Sequence, residues 1–410
     1  MKISVLLKRE PFDKIFVETL TLFLNNLSGK AHKITWQDRK FLKGLTRRNQ
    51  YWYCNPLINT IFIKNADRLV FESLIGEYSD NPLKPWRNFL QKIYLELSLN
   101  NISSTYFAKN IIQISPPIKD AKKKLIIGGN TKIRIIDIAK KNVYVVLKKG
   151  FNKKYLDREI YIKENFQYLS VPKIKFKANN NLWYCEDYIV GIPPNRMKNE
   201  VGEKVINEIV EQLQRVLRET KEKILIKDYV NQIKGRIQKN ISGMNFLYKK
   251  DRIQAEKIVT KLVSYFNNEE KSYVTIALCH GDFHQGNILS DGQKSWILDW
   301  EHSGKKQIGY DLFILLINSR IENGYLDRFS SLTNINMESF LYKLINNWPD
   351  LELNQKSIKE SNIILFLLEE LDFYIDESSN KVFYENPSVL NKRLSIFEEI
   401  INSLNYKSLQ

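Results

Sequence analysis

The alternation of apolar and polar residues predicts a β-rich region between residues 122 and 189. It contains β-branched runs separated by short polar or glycine-containing turns, at 125–127, 133–138 and 142–147. Helical spacing follows at 157–169, and two further apolar segments lie at 171–174 and 182–188. The order of three strands, a helix and two more segments predicts a small β-rich lobe.

The flanking stretches have a different pattern. From about residue 195 the chain is mostly helical, with apolar residues recurring at i, i+3 and i+4 in 201–219, 253–266, 310–320, 358–373 and 394–404. The first 115 residues predict a short strand at the start, helices near 11–27 and 86–99, and a strand at 58–63. Ser115-Pro116-Pro117 then predicts a turn or linker.

These patterns predict an α+β protein with three parts. Residues 1–115 form an additional N-terminal α/β region of unknown role, residues 116–190 a small β-rich lobe, and residues 191–410 a larger helical lobe. The length of 410 residues and the 43% hydrophobic content permit a substantial core in more than one domain.

Charge adds a preference for anionic partners. The formal net charge is +17, and residues 117–177 alone contain 17 Lys or Arg against 5 Asp or Glu. No paired Cys-x-x-Cys or aromatic RNA-binding motif accompanies these charges, so an anionic small molecule, an acidic glycan or a membrane surface is favoured over nucleic acid. Three widely spaced cysteines do not indicate a disulfide framework. With no signal-peptide or transmembrane pattern in the sequence, we expect a cytoplasmic protein.

The chemistry-bearing residues cluster between positions 280 and 301. Asp282 and Asn287 precede an apolar strand end, turn residues follow at 290–294, and a second apolar strand leads to Asp299. Such a hairpin predicts that Asn287 and Asp299 lie close together, with Asp282 on the entering loop. Mg²⁺ is usually bound by a small number of carboxylates together with phosphate oxygens, so this set of side chains suits a Mg²⁺ site.

Histidines in the same loop permit a different interpretation. His280, Asp282 and His284 have a spacing that resembles metal ligands, which would indicate a metallohydrolase. However, the chain has only four His, and hydrolytic zinc centres draw on about three His or carboxylate ligands.

The spacing His-x-Asp, Asn five residues later and Asp beyond a hairpin matches the catalytic loop and metal-binding Asp of protein kinases. Gly281 after the His, and the Asp-Trp-Glu sequence at 299–301, resemble the aminoglycoside phosphotransferase and choline kinase superfamily. The resemblance covers roughly residues 120–410 and implies a two-lobed protein-kinase-like fold. It implies Asp282 as the catalytic base and Asn287 with Asp299 as ligands of Mg²⁺.

The resemblance also implies an ATP-binding set in the β-rich lobe. Gly128 and Gly129 lie between the first two strands, where a phosphate-covering loop is expected. Lys148, or Lys149 as the alternative, would hold the phosphates, braced by Glu159 of the next helix.

Three further expectations follow from the same resemblance. The segment containing Glu186, Asp187 and Tyr188 would be the hinge whose backbone pairs with adenine. His280 would pack beneath the catalytic loop. Asp311 would cap the following helix and brace that loop.

The predicted activity is therefore transfer of the γ-phosphoryl group of ATP to a hydroxyl of a small molecule or glycan. The sequence leaves the acceptor, the choice of ATP or GTP and the oligomeric state open. The acidic residues at 369–372 and 376–377 are interpreted either as a site for a cationic acceptor or as a solvated helix face. The alternative function is a pseudokinase-like scaffold that binds nucleotide or a partner protein.

Overall fold

The computed structural model describes residues 2–41, 49–70, 72, 85–100, 102–244, 249–269, 271–317, 329, 348, 353–354, 357–358, 360–383 and 388–407. The chain divides into two compact units. The first contains Met1–Lys198 and Leu289–Glu301, and the second contains Asn199–Ile288 and His302–Gln410. The predicted α+β class, with a β-rich part followed by a helical part, is confirmed.

One antiparallel sheet organises the first unit. Its strands are β1 (Lys33–Asp38), β2 (Gln50–Asn55), β3 (Thr60–Ile63), β4 (Asn110–Ser115), β5 (Lys124–Gly128), β6 (Lys132–Asp137), β7 (Asn142–Leu147), β8 (Ile174–Lys177) and β9 (Trp183–Asp187). They lie in the order β1-β4-β2-β3-β5-β6-β7-β9-β8. Because β3 pairs with β5, the strands of the first 115 residues continue the sheet of the β-rich lobe. The predicted boundary at residue 115 therefore falls inside one structural unit.

The helices of this unit are α1 (Ile3–Arg9), α2 (Phe12–Ser28), α3 (Pro85–Leu99), α4 (Ser104–Phe107) and α5 (Lys154–Asn165). Helix α2 buries Phe12, Phe16 and Phe23 in the core that it shares with the sheet. The chain begins with helix α1 and not with the predicted strand, because Ile3 and Leu6, three residues apart, are both buried on one helical face. Helix α5 lies between β7 and β8 in the chain, as the apolar pattern predicted.

The second unit is mainly helical. Its helices are α6 (Asn199–Thr220), α7 (Ile226–Gly243), α8 (Lys249–Ser264), α9 (Tyr310–Ile317), α10 (Glu360–Ser378) and α11 (Ser388–Lys407). A small sheet joins β10 (Glu222–Leu225), β11 (Tyr273–Cys279) and β14 (Gly304–Gln307), and β15 (Leu353–Asn354) pairs with β16 (Ser357–Ile358). Helix α10 packs on α7, α8 and α11. Residues 318–320 of the predicted helix 310–320 lie outside the described residues.

The predicted hairpin is present as β12 (Ile288–Ser290) paired with β13 (Ser295–Ile297). Backbone hydrogen bonds anchor it to the first unit: Ile192 N–H donates to Ser290 O at 2.8 Å, and Ile297 N–H donates to Ser170 O at 2.8 Å. Asp299 follows this anchored strand after one intervening residue, Leu298. Among the described helices, none has the length and apolar content needed to span a bilayer.

Candidate active site

A buried carboxylate fixes the loop that follows β11 in the second unit. Asp311, in the first turn of α9, accepts hydrogen bonds from the backbone N–H groups of His280 at 2.6 Å and Gly281 at 2.9 Å. Burial raises the pKa of Asp311, which has no exposed surface. These two bonds are the contacts expected of a residue that braces the loop, because they satisfy two backbone donors at its start.

Backbone geometry explains the glycine in this loop. Gly281 has a φ of +82°, and a Cβ atom at this position would lie 2.1 Å from the backbone oxygen of His302. A larger residue would be strained and would clash with backbone. His280 is fully buried, and its Nδ1 accepts a hydrogen bond from the backbone N–H of Asp282 at 3.2 Å. The buried imidazole therefore holds the loop backbone through this hydrogen bond.

Asp282 and Asn287 lie together in the second unit. Asn287 Nδ2 donates to the backbone oxygen of Asp282 at 2.9 Å and to its Oδ2 at 3.3 Å. The Asp282 side chain keeps 20% of its surface exposed. Because the amide nitrogen of Asn287 is turned to Asp282, the amide oxygen is the atom left to bind a metal. The pair therefore combines a partly exposed carboxylate with a neutral amide oxygen.

The metallohydrolase alternative is not supported by this geometry. His280 is buried with Nδ1 already accepting a hydrogen bond, and His284 Nδ1 accepts one from the backbone N–H of Gly286 at 3.0 Å. Within the described ranges, no group of three or more His, Cys, Asp or Glu side chains is arranged to hold a metal ion.

A buried ion cluster forms the centre of the first unit's site. Lys132, at the start of β6, places its Nζ 2.6 Å from Glu159 Oε2, 2.6 Å from Asp299 Oδ1 and 3.2 Å from Glu301 Oε2. Arg134 Nη2 lies 3.2 Å from the same Asp299 oxygen. Lys132 and Arg134 reach the same carboxylate because side chains two apart on a strand share a face.

The cluster holds its members in their charged forms. Burial alone would lower the pKa of Lys132, but the nearby carboxylates of Asp299, Glu159 and Glu301 raise it above its usual value. Burial would likewise raise the pKa of Glu159, but the ammonium groups of Lys132 and Lys163 outweigh burial and lower it to about 2. Glu159 is thus an ionised carboxylate that orients Lys132.

The predicted ion pair between Lys148 and Glu159 is not formed. β7 ends at Leu147, and Lys148 directs its Nζ to Glu10 and to the backbone oxygen of Gly129 at 3.2 Å. The pairing register places Lys132 of the neighbouring strand opposite Leu147, and Lys132 takes the position at Glu159. Lys149 was the alternative candidate for the phosphate-binding lysine. Its backbone N–H donates a hydrogen bond to Thr19 Oγ1 at 2.9 Å.

The sequence contains a signal for Lys132 in the pattern of its strand. Lys132 and Arg134 alternate with Ile133 and Ile135 in β6. Two charged residues on one face of a buried strand require carboxylate partners.

Gly128 and Gly129 lie in the tight connection between β5 and β6. Gly128 pairs with Ile133, and a Cβ atom on Gly129 would lie 2.7 Å from the backbone oxygen of Lys132. In the same turn, Thr131 Oγ1 donates to Glu301. The turn is therefore attached to the ion cluster by Thr131 and Lys132, one residue apart.

The predicted hinge residues are largely engaged within the sheet. Glu186 is buried and ion-paired with Lys163. The backbone N–H of Asp187 donates to Lys173 O at 3.1 Å, and that of Tyr188 donates to Lys141 O at 3.0 Å. These two donors already have partners in the first unit.

The acidic residues of α10 are not a single exposed face. Glu369 and Glu370 are buried and accept hydrogen bonds from the hydroxyls of Tyr229 and Tyr310, respectively. Asp372 pairs with Arg236 at 2.8 Å. Burial raises the pKa of Glu369. The first two residues therefore brace the helical unit, and the solvated-face interpretation does not apply to them.

Comparison with known proteins finds a family match in the region that contains this loop. Residues 251–332 match the model of the Phosphotransferase enzyme family, APH. This part of the chain is phosphotransferase-like. The match confirms the predicted resemblance over the segment that carries Asp282, Asn287 and Asp299, and it supports the prediction that the protein is a kinase. Among curated protein sequences, none is similar enough to count as a match.

Solved structures with partial similarity include two kinases and an aminoglycoside phosphotransferase. A choline kinase from Cryptosporidium parvum Iowa II aligns at 13% identity and a TM-score of 0.46, covering 70% of this chain and 90% of that one. The Plasmodium vivax ethanolamine kinase aligns at 13% identity and a TM-score of 0.45, covering 83% of this chain and 96% of that one. An aminoglycoside phosphotransferase from Streptomyces rimosus aligns at 13% identity and a TM-score of 0.40, covering 62% of this chain and 92% of that one.

Proposed function

We propose that the protein transfers the γ-phosphoryl group of ATP to a hydroxyl group of a small molecule or glycan. The observation that carries the proposal is the buried Lys132–Glu159 pair, in which the lysine also contacts Asp299. A lysine oriented by a helix glutamate is what a phosphoryl transferase needs to bind the donor phosphates, and here an acidic residue of the loop region joins it.

In this proposal Lys132 replaces Lys148 as the phosphate-binding lysine. Glu159 keeps Lys132 charged and oriented, and Arg134 adds a second cation beside Asp299. Positive charge fixed in a buried site stabilises the transferred phosphoryl group without reorganisation, which supplies most of the catalysis when the transition state is loose.

Asp282 would accept the proton of the acceptor hydroxyl. Its partly exposed carboxylate is oriented by Asn287, and the loop is held by Asp311. The carboxylate of Asp299 and the amide oxygen of Asn287 have the donor chemistry that Mg²⁺ prefers. When bound, Mg²⁺ would neutralise charge on the β- and γ-phosphates.

The backbone contact to adenine would lie slightly further along the chain than the segment 186–188 that the sequence indicated. Because the N–H groups of Asp187 and Tyr188 donate to the backbone oxygens of Lys173 and Lys141, we place the donor to adenine at Ile189, the next backbone N–H group. Val190, beside it, has 70% of its surface exposed and could cover the base.

Replacement of the base tests the proposal. In Asp282→Ala we expect turnover to be lost while MgATP binding stays near the wild-type level, because a base acts on the acceptor. ADP production would be measured with a panel of amino-alcohols, sugars and glycans, and nucleotide binding by calorimetry. The matched control is Asp291→Ala, an exposed aspartate in the turn of the following hairpin, which should retain turnover.

Two outcomes would contradict this assignment. Wild-type turnover in a folded Asp282→Ala protein would remove the base from the mechanism. Nucleotide binding by the wild-type protein without turnover on any acceptor of the panel would instead favour the pseudokinase-like scaffold.

A further inference from the structure

The N-terminal helices contact the turn between β5 and β6, residues 128–131, which we name the glycine turn. The guanidinium of Arg9 forms two hydrogen bonds with Asn130. Nη1 donates to Asn130 Oδ1, and Nη2 donates to the backbone oxygen of Asn130 at 3.0 Å. Both contacts join residues 121 positions apart in the chain. The tip of the turn is therefore held by a side chain from the first helix.

A buried ion pair connects this arginine to a second contact with the turn. Glu10 receives Arg9 Nη2 at 2.6 Å on Oε2 and Lys148 Nζ on Oε1. The side chains of Glu10 and Lys148 are both 0% exposed, and Lys148 also donates to the backbone oxygen of Gly129 at 3.2 Å. Glu10 thus links two cations, and each of them bonds to the turn.

The base of the turn is packed just as closely. A Cβ atom on Gly128 would lie 2.8 Å from Ile3 Cγ1 and 3.1 Å from Leu6 Cδ1. Asn59 Nδ2 donates to Gly128 O at 2.9 Å, while Asn59 Oδ1 accepts the backbone N–H of Ile3 at 3.0 Å. Helix α1 therefore leaves no room for the base of the turn to shift toward it.

A buried ion pair contributes little net stability, because desolvation opposes the attraction, but its geometry is restrictive. A glycine-containing turn has more conformational freedom to lose than other turns, and ordering it on ligand binding weakens affinity. A turn that is already ordered by Arg9, Glu10 and Lys148 avoids that loss. The two cations also lie next to backbone that would approach an anionic ligand.

We propose that residues 3–10 are a built-in clamp that holds the glycine turn in the conformation that accepts the phosphates of the donor nucleotide. Arg9 and Glu10 are its positioning residues, and Glu10 acts on the turn through its partner Lys148. The inference rests on the proposed function, since the turn leads directly into Lys132 of the ion cluster. It gives the first residues of the N-terminal region a role in donor affinity.

The experiment removes one arm of the clamp in the full-length protein. Arg9→Met deletes both bonds to Asn130 while Glu10 keeps Lys148 as its partner. We expect the dissociation constant for MgADP to rise about tenfold, the loss of roughly one charge-assisted hydrogen bond. Arg9→Lys should recover part of the affinity. The matched control is Arg68→Met, an arginine of the same unit whose ion pair with Glu72 is exposed.

Hydrogen exchange of the backbone amides at residues 129–132, without nucleotide, gives a readout that does not depend on binding. We expect faster exchange in Arg9→Met and wild-type exchange in Arg68→Met. Unchanged exchange and unchanged MgADP affinity in a folded Arg9→Met protein would overturn the clamp. If the wild-type protein binds neither MgADP nor MgATP, the proposed function fails first, and the donor role of the clamp fails with it.

Discussion

Replacement of Lys132 by methionine is the sharpest test of the corrected lysine assignment. Methionine keeps most of the side-chain volume and removes the charge. In the wild-type protein the ammonium group lies within 3.2 Å of three carboxylates, Glu159, Asp299 and Glu301, and the Lys132 side chain is 2% exposed. The variant therefore leaves a cluster of negative charge with less compensation.

The magnitude follows from this geometry. Breaking a buried ion pair by removing one partner costs about 3–5 kcal/mol of stability. Arg134 and Lys163 remain beside Asp299 and Glu159, so we expect a loss of about 3 kcal/mol, the lower end of that range. Loss of one preorganised charge at the reacting phosphates should lower kcat by about 10²- to 10³-fold.

The assay combines unfolding in denaturant with ADP production from MgATP at saturating donor. Lys124→Met is the matched control, because Lys124 on β5 forms a buried pair with Asp137 in the same sheet. It should lose comparable stability without the kinetic loss. Wild-type kcat in Lys132→Met, together with a lost kcat in Lys148→Met, would refute the reassignment from Lys148 to Lys132.

Two further predictions concern the same cluster. In Asp299→Asn we expect nucleotide affinity to depend less on Mg²⁺, because the proposed metal ligand loses its charge. Calorimetry with MgADP, and with ADP in the presence of a chelator, measures this dependence. An unchanged Mg²⁺ dependence would exclude Asp299 as a ligand. The pKa of Glu159 is lowered from its usual 4.5 to about 2, so its stabilising contribution is present above about pH 4.5 and is lost as pH falls toward 2. Denaturant unfolding at pH 6 and pH 3 should show Glu159→Gln to be less acid-sensitive than the wild-type protein, by about 2 kcal/mol, and equal acid sensitivity would contradict the assigned pairing.

The order of elements in the β-rich lobe could be predicted because it depends on local patterns. Strands β5, β6 and β7 alternate with short turns, and the helix that carries Glu159 has recognisable apolar spacing. The choice between Lys132, Lys148 and Lys149 could not be predicted in the same way. It depends on which strand faces the helix and on the register between strands, and both are non-local properties.

The N-terminal region illustrates the same limit. Helices α2 and α3 and strand β3 are predicted nearly where they occur, whereas helix α1 was predicted as a strand. The sequence also indicated a separate domain ending near residue 115. The pairing of β3 with β5 and the contact of Glu10 with Lys148, 138 residues apart, place it in the same unit as the glycine turn. No spacing rule relates residues so far apart in the chain.

By itself the sequence determined the residues whose chemistry and spacing belong together: Asp282 and Asn287 on one loop, the hairpin that follows, and Asp299 at its end. Short loops and hairpins have few conformations, so local sequence restricts them strongly. Only the tertiary structure decided which lysine joins Asp299 and which residues hold the glycine turn. Buried charges must find partners wherever packing of the sheet and helices brings them, and that packing is a property of the whole unit.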